Sequence, residues 1–140
     1  MTGDQAKQLI HYRLEQARET LREGEILARE GLWHGVINSA YYAIFYATLA
    51  LTVFRSETIS KHSGVISFFD KEFVRTGAFP KEYSRMIHFA FDRRQSIDYG
   101  EFSFVDQGEA ESALSDARSF VEAVDNFLKS SLSNFDEQTE

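Results

Sequence analysis

The sequence predicts an all-α chain, a single-domain up-and-down bundle of about five helices. Three observations lead there: apolar residues recur at helical spacing in five successive segments, no segment alternates with period two as a half-buried strand would, and the connections are short. With 140 residues the chain can bury roughly two-thirds of its unfolded surface, so one core suffices without a disulfide or structural metal. Residues 1–132 are assigned to this domain, and 133–140 to a polar C-terminal tail expected to fray.

The first helix is expected from about Asp4 to Glu30. Ile10, Leu14, Ala17, Leu21 and Ala28 make its apolar face, arginines and glutamates fill the others, and Gly31 ends it. The second is expected from about Trp33 to Phe54, with Val36, Ala40, Ala43, Ile44, Ala47 and Leu51 on one face and Tyr42, Phe45, Tyr46 and Leu49 on others. A helix apolar nearly all round belongs at the centre of a bundle. Its apolar run from Tyr41 to Phe54 holds fourteen residues, fewer than the about 20 that a bilayer span requires.

Arg55 to Ile59 reads as a loop, and Ser60 as the N-cap of a third helix carrying Val65, Ile66, Phe69 and Phe73. Gly77 and Pro80 punctuate the chain next. Pro80 suits the first turn of a fourth helix, where its missing amide hydrogen is not needed. Tyr83, Ile87 and Ala90 follow at spacings of four and three, and four more residues reach Arg94. After a turn around Tyr99 to Ser103, the last helix starts at an Asp106-x-x-Glu109 pattern like a capping box. Its Leu114, Ala117, Val121, Val124 and Leu128 form a near-heptad stripe.

Composition and spacing remove several chemistries. Without cysteine there is no thiolate nucleophile, iron–sulfur ligand or cysteine zinc site, and a cytoplasmic location is permitted. Met1 to Ile10 lacks the basic-then-apolar pattern of a signal peptide, so the expected compartment is the cytoplasm, with no membrane partner. Glycine-rich phosphate loops, His-Glu-x-x-His and EF-hand spacing are absent, and His11, His34, His62 and His88 stand apart with no other histidine at i+3 or i+4. No metal and no cofactor is expected. The net charge of -7 is uneven: Lys and Arg number 13 against 12 Asp and Glu in residues 1–100, and 2 against 10 in residues 101–140. An anionic partner would therefore be met by a local basic site and not by the global field.

One segment supplies such a site. Phe91-Asp92-Arg93-Arg94-Gln95-Ser96-Ile97-Asp98-Tyr99 ends the fourth helix with two arginines, an acid and a tyrosine. Arg94 continues the buried stripe, where a guanidinium needs a carboxylate, carbonyl or anionic ligand to offset its desolvation. Two readings stand. In one, Arg94 pairs with Asp98, Tyr99 packs on the bundle, and the segment merely closes the helix end. In the other, the arginines grip a phosphodiester or nucleotide phosphate by paired hydrogen bonds while Asp98 orients one of them. Lys61 and His62, at the start of the third helix, are either further donors or solvent-exposed capping-region side chains. The aromatic run Tyr41 to Tyr46 reads as core packing, or as a dimer interface, in preference to a base-stacking platform.

Asn38-Ser39-Ala40-Tyr41-Tyr42-Ala43-Ile44-Phe45-Tyr46-Ala47 resembles the signature second helix of the small stand-alone HEPN proteins. In order along the chain, Ser60 to Val65 resembles that family's next segment, Arg94 to Tyr99 its Arg-x-x-x-Asp-Tyr ending, and Ala117 to Val124 its last helix. The resemblance implies a HEPN-like bundle that dimerises, often beside a small nucleotidyltransferase in toxin–antitoxin pairs, with many members cutting RNA without a metal. Cutting members carry Arg-x(4-6)-His. Here Tyr99 stands five positions after Arg94 and six after Arg93. An imidazole with a pKa of about 6.5 suits proton transfer at the ribose hydroxyl or leaving oxygen, and a phenol near ~10 does not.

Three functions follow as expectations. The first is a homodimer that binds RNA or a nucleotide phosphate through Arg93, Arg94, Asp98 and Tyr99 with Lys61 and His62, working with a nucleotidyltransferase. The second is a metal-independent endoribonuclease in which Arg94 and Tyr99, or a histidine from elsewhere, carry the catalysis. The third is a non-catalytic helical scaffold whose arginines satisfy internal carboxylates.

Overall fold

A capping box starts α1 (Gly3–Arg29): the Thr2 hydroxyl accepts from the Gln5 amide at 3.1 Å, and the Gln5 side chain accepts from the Thr2 amide at 2.9 Å. The computed structural model describes residues 2–98 and 104–139, with side chains as far as Ser133. Among them are four further helices and no strand: α2 (Trp33–Phe54), α3 (His62–Phe69, prolonged by a π-helical turn, Asp70–Val74), α4 (Lys81–Asp98) and α5 (Gln107–Thr139).

The predicted faces are the buried ones. Val36, Ala40, Ala43, Ile44, Ala47 and Leu51 of α2 are all inside, and α2 packs on α1, α3, α4 and α5, so the most apolar helix is the axis of the bundle. By length and composition its 22 residues would also suffice to cross a membrane, but 67% of that stretch is buried against the other helices. Leu114, Ala117, Val121, Val124 and Leu128 of α5 close the core from the far side. Phe69, Phe73, Phe79 and Phe120 form its aromatic centre.

Three local features differ from the sequence reading. The N-cap of α3 is Lys61, in extended backbone, and not Ser60; no side chain caps that end. At α5 the Asp106 carboxylate accepts from the Glu109 amide at 2.8 Å, but Glu109 does not complete the box, because its carboxylate is engaged by Arg93. The backbone of α5 is helical to Thr139. Pro80 directly precedes α4 and does not lie within its first turn. The turn expected at Tyr99 to Ser103 lies outside the described residues.

The π turn brings Asp70 under α4, where its carboxylate accepts from Ser84 Oγ at 2.7 Å and pairs with His88 Nε2 at 2.6 Å. This fixes the start of α4 to the end of α3, and so fixes the far ends of both helices relative to each other.

Helices α1 and α2 end in the same motif with different residues. After α1, Gly31 (φ +72°) donates to Ala28 and Leu32 to Leu27; after α2, Ser56 (φ 57°) donates to Val53 and Glu57 to Thr52. Both are paired closures through a left-handed residue, a conformation that costs nothing sterically for glycine and strains serine. Ser56→Gly is therefore expected to raise stability by about 0.5–1 kcal/mol, seen as a higher urea midpoint at unchanged slope. A midpoint that stays or falls would show that this turn holds no strain.

Candidate functional site

A cleft opens where α2, the start of α3 and the end of α4 meet. Its volume is about 490 Å³, and His62, Ser63, Phe91, Arg94, Gln95 and Asp98 line it. Arg94 arrives there because it extends the inward stripe of α4 by one more turn, past the point where the core can enclose it. Its side chain keeps 22% of its surface exposed.

Helix α2 makes a seat for the guanidinium. Arg94 Cζ lies 5.1 Å from the centre of the Tyr41 ring and 4.8 Å from that of Tyr42, within the range of cation–π attraction. Arg94 Nε donates to Asn38 Oδ1 at 3.4 Å, and Nη2 pairs with Asp98 Oδ2 at 3.0 Å. Asn38, Tyr41 and Tyr42 are three and four residues apart, hence on one face of α2. Nη1 of Arg94 has no partner among the described residues.

His62 is the first residue of α3, and its ring enters the same cleft. Its Nδ1 lies 2.7 Å from the Tyr41 hydroxyl and its ring centre 4.3 Å from that of Phe45. Partial burial, and secondly the positive charge of Arg94, hold the imidazole below its ordinary value. Burial pushes the Tyr41 phenol up to about 12, so it stays protonated. The result is an imidazole biased toward its neutral form and a permanent cation facing one open space.

The predicted site residues thus divide. Arg94, Asp98 and His62 meet in the cleft; Lys61, the exposed N-cap before His62, is not among the residues that line it. Arg93 does not join them: one residue before Arg94, and so on another face of α4, it forms an ion pair with Glu109, with Nη2 at 3.1 Å from Oε2, and donates to the Phe104 carbonyl at 3.0 Å. The hydrogen bond that Arg93 donates to the Glu109 carboxylate raises the Arg93 pKa. Arg93 is a brace between α4 and the start of α5. Tyr99 lies outside the described residues. His88 is occupied by Asp70, away from the cleft.

Sequence reasoning missed Asn38, Tyr41 and Tyr42 as the seat of Arg94. One signal was present: an exposed asparagine on an otherwise apolar helix, at helical spacing from two tyrosines whose polar ends need partners.

The residues around this cleft fall inside the part of the chain that known proteins share. A HEPN domain profile matches residues 10–127, which takes in all of α2, α3 and α4. A UPF0332 protein of Thermotoga maritima is 31% identical over 126 residues, covering 90% of this chain and 96% of its own length. A protein of Methanocaldococcus jannaschii named "Putative toxin" is 34% identical over 116 residues, covering 83% of this chain and 86% of its own. A UPF0332 protein of Archaeoglobus fulgidus is 26% identical over 117 residues, with 84% and 93% covered. With a profile match over most of its length and relatives that align nearly end to end, this chain belongs to the HEPN domain family.

Proposed function

We propose that this chain is a toxin-like HEPN protein that binds single-stranded RNA, holding one backbone phosphate in the α2–α3–α4 cleft, as a homodimer beside a nucleotidyltransferase partner. The observation that carries the RNA-binding reading is the presentation of Arg94. Two aromatic rings, Asn38 and Asp98 orient its guanidinium at the wall of an open cleft, and one amino group is left to donate. A cation that served only to close the helix end would need Asp98 and nothing more. A pre-oriented fork loses little entropy when it meets a phosphate, which it matches in geometry.

The remaining charge favours a focused contact over a diffuse one. With a net charge of -7, concentrated in residues 101–140, the chain offers a polyanion no general attraction, so affinity has to come from this locus and must fall as salt rises. The toxin part of the reading is supported by the name of the M. jannaschii relative, and the dimer and its partner by the family resemblance of α2. RNA binding in EDTA, weakened at least about 10-fold by Arg94→Ala in a folded protein, is the test. Binding of unchanged affinity in that variant removes the cleft from the reading.

A further inference from the structure

We infer that His62 is the proton-transfer group of an RNA transesterification in this cleft, doing the work of the histidine that the chain lacks at Tyr99. The inference rests on the RNA-binding reading above and adds the chemistry to it. His62 and Arg94 are 32 positions apart in sequence, and no spacing rule connects them; the packing of α3 against α4 brings both to one wall.

The geometry gives each ring nitrogen a role. Nδ1 is engaged by the Tyr41 hydroxyl at 2.7 Å, whereas Nε2 has no partner among the described residues and is the nitrogen left for a ligand in the cleft. A hydroxyl can both accept and donate. When Nε2 carries a lone pair, Nδ1–H donates to Tyr41 Oη, and that bond is kept when Nε2 gains a proton. The ring therefore need not turn between the two states. Because the phenol remains neutral, it orients the imidazole without fixing a positive charge on it.

The reaction balances without a co-reactant. Arg94 holds a non-bridging oxygen of a phosphodiester, and the adjacent 2′-hydroxyl gives its proton to His62 Nε2. O2′ bonds to phosphorus, the P–O5′ bond breaks, and the proton on the imidazolium passes to O5′. The products are a 2′,3′-cyclic phosphate and a 5′-hydroxyl. Arg94 assists twice, since it stabilises the charge that develops on the phosphate and disfavours a lasting imidazolium beside it. The groups around the ring are Tyr41 from α2, Arg94 and Asp98 from α4, and Lys61 next to it in the chain.

The test is single-turnover cleavage at saturating protein in EDTA, with a randomised single-stranded RNA pool and a DNA pool of equal length. Saturation removes differences in affinity from the rate. The expected result is RNA fragments with 2′,3′-cyclic phosphate ends, intact DNA, and a rate that falls in acid with a midpoint below about 6.5. His62→Gln should slow cleavage about 10²- to 10⁴-fold, while His11→Gln, on the exposed face of α1, cuts as the unaltered protein does. Cleavage by His62→Gln at the original rate overturns the inference, and so does RNA binding by the unaltered protein with no cleavage. If His62→Gln fails to fold, the acid limb decides: a rate that stays flat from neutral pH down to the onset of acid unfolding excludes a proton-accepting histidine. A protein that neither binds nor cuts RNA overturns the binding reading, and this inference with it.

Discussion

Replacing Arg94 by alanine should weaken single-stranded RNA binding about 10- to 100-fold, the equivalent of one charge-assisted hydrogen-bonded contact of about 1.5–3 kcal/mol. Replacing its neighbour Arg93 should leave affinity within about threefold and instead cost about 1–2 kcal/mol of folding stability. The two side chains differ by a single step along α4, yet Arg94 sits on Tyr41 and Tyr42 at the cleft while Arg93 is spent on Glu109 and the Phe104 carbonyl. Fluorescence anisotropy over a salt series and urea denaturation read the two effects separately. The slope of log affinity against log salt should shrink by about 0.7 in Arg94→Ala, as for one lost contact to a single strand. Arg94→Lys keeps the charge but loses the fork and should recover only part of the affinity. Equal losses for Arg93→Ala and Arg94→Ala would mean that RNA meets a general basic surface and not the cleft.

The second large effect concerns the core. Phe73 is fully buried, with its ring centre 5.6 Å from Phe68, 6.1 Å from Phe69, 5.8 Å from Phe79 and 5.4 Å from Phe127. It lies in the π turn, so it joins the end of α3 to the chain that leads into α4, and its carbonyl accepts the Phe79 amide at 2.9 Å. Phe73→Ala should cost about 3–5 kcal/mol, since four rings cannot all move to fill the space. Phe73→Leu, which leaves a smaller void, should cost distinctly less. A loss under about 1 kcal/mol for the alanine variant in urea denaturation would mean that this aromatic cluster collapses freely.

Acid should act on the site and on stability in the same direction. The folded imidazole of His62 titrates below its ordinary value because burial and Arg94 oppose its charge. An unfolded chain then binds the proton more readily than the folded one. The stability associated with His62 is thus complete above about pH 6.5 and is lost as pH falls through the lower folded value. Asp125 behaves alike at lower pH: burial alone would raise its carboxyl, but Arg18 at 2.8 Å and Lys129 at 3.2 Å hold it below the usual range.

The bundle was legible because its cause is local. An apolar stripe on α5 and an all-round apolar α2 can be counted in the sequence, and burial follows the count at Val36, Leu51, Leu114 and Val124. Helix ends were legible where one residue decides them, as at Gly31, and less so where two candidates compete, as with Ser60 and Lys61. Periodicity placed Arg94 on the inward stripe but left Arg93 in the same expected site, from which the structure removes it. It could not supply the partner of Arg93, since Glu109 lies beyond a connection whose path no local rule gives. His62 and Tyr41 meet across 21 residues, through the angle at which α3 leaves α2. Sites of this kind are assembled by tertiary packing, and their members carry no common spacing.

The most direct test of the central claim is to record the histidine imidazole and arginine Nε–H resonances of the folded protein while a short single-stranded RNA oligonucleotide is added in EDTA. Arg94 and His62 should shift together and saturate together, with Arg93 and His88 unmoved. Saturable shifts confined to other residues, or none at all, would contradict a phosphate-binding cleft built on Arg94.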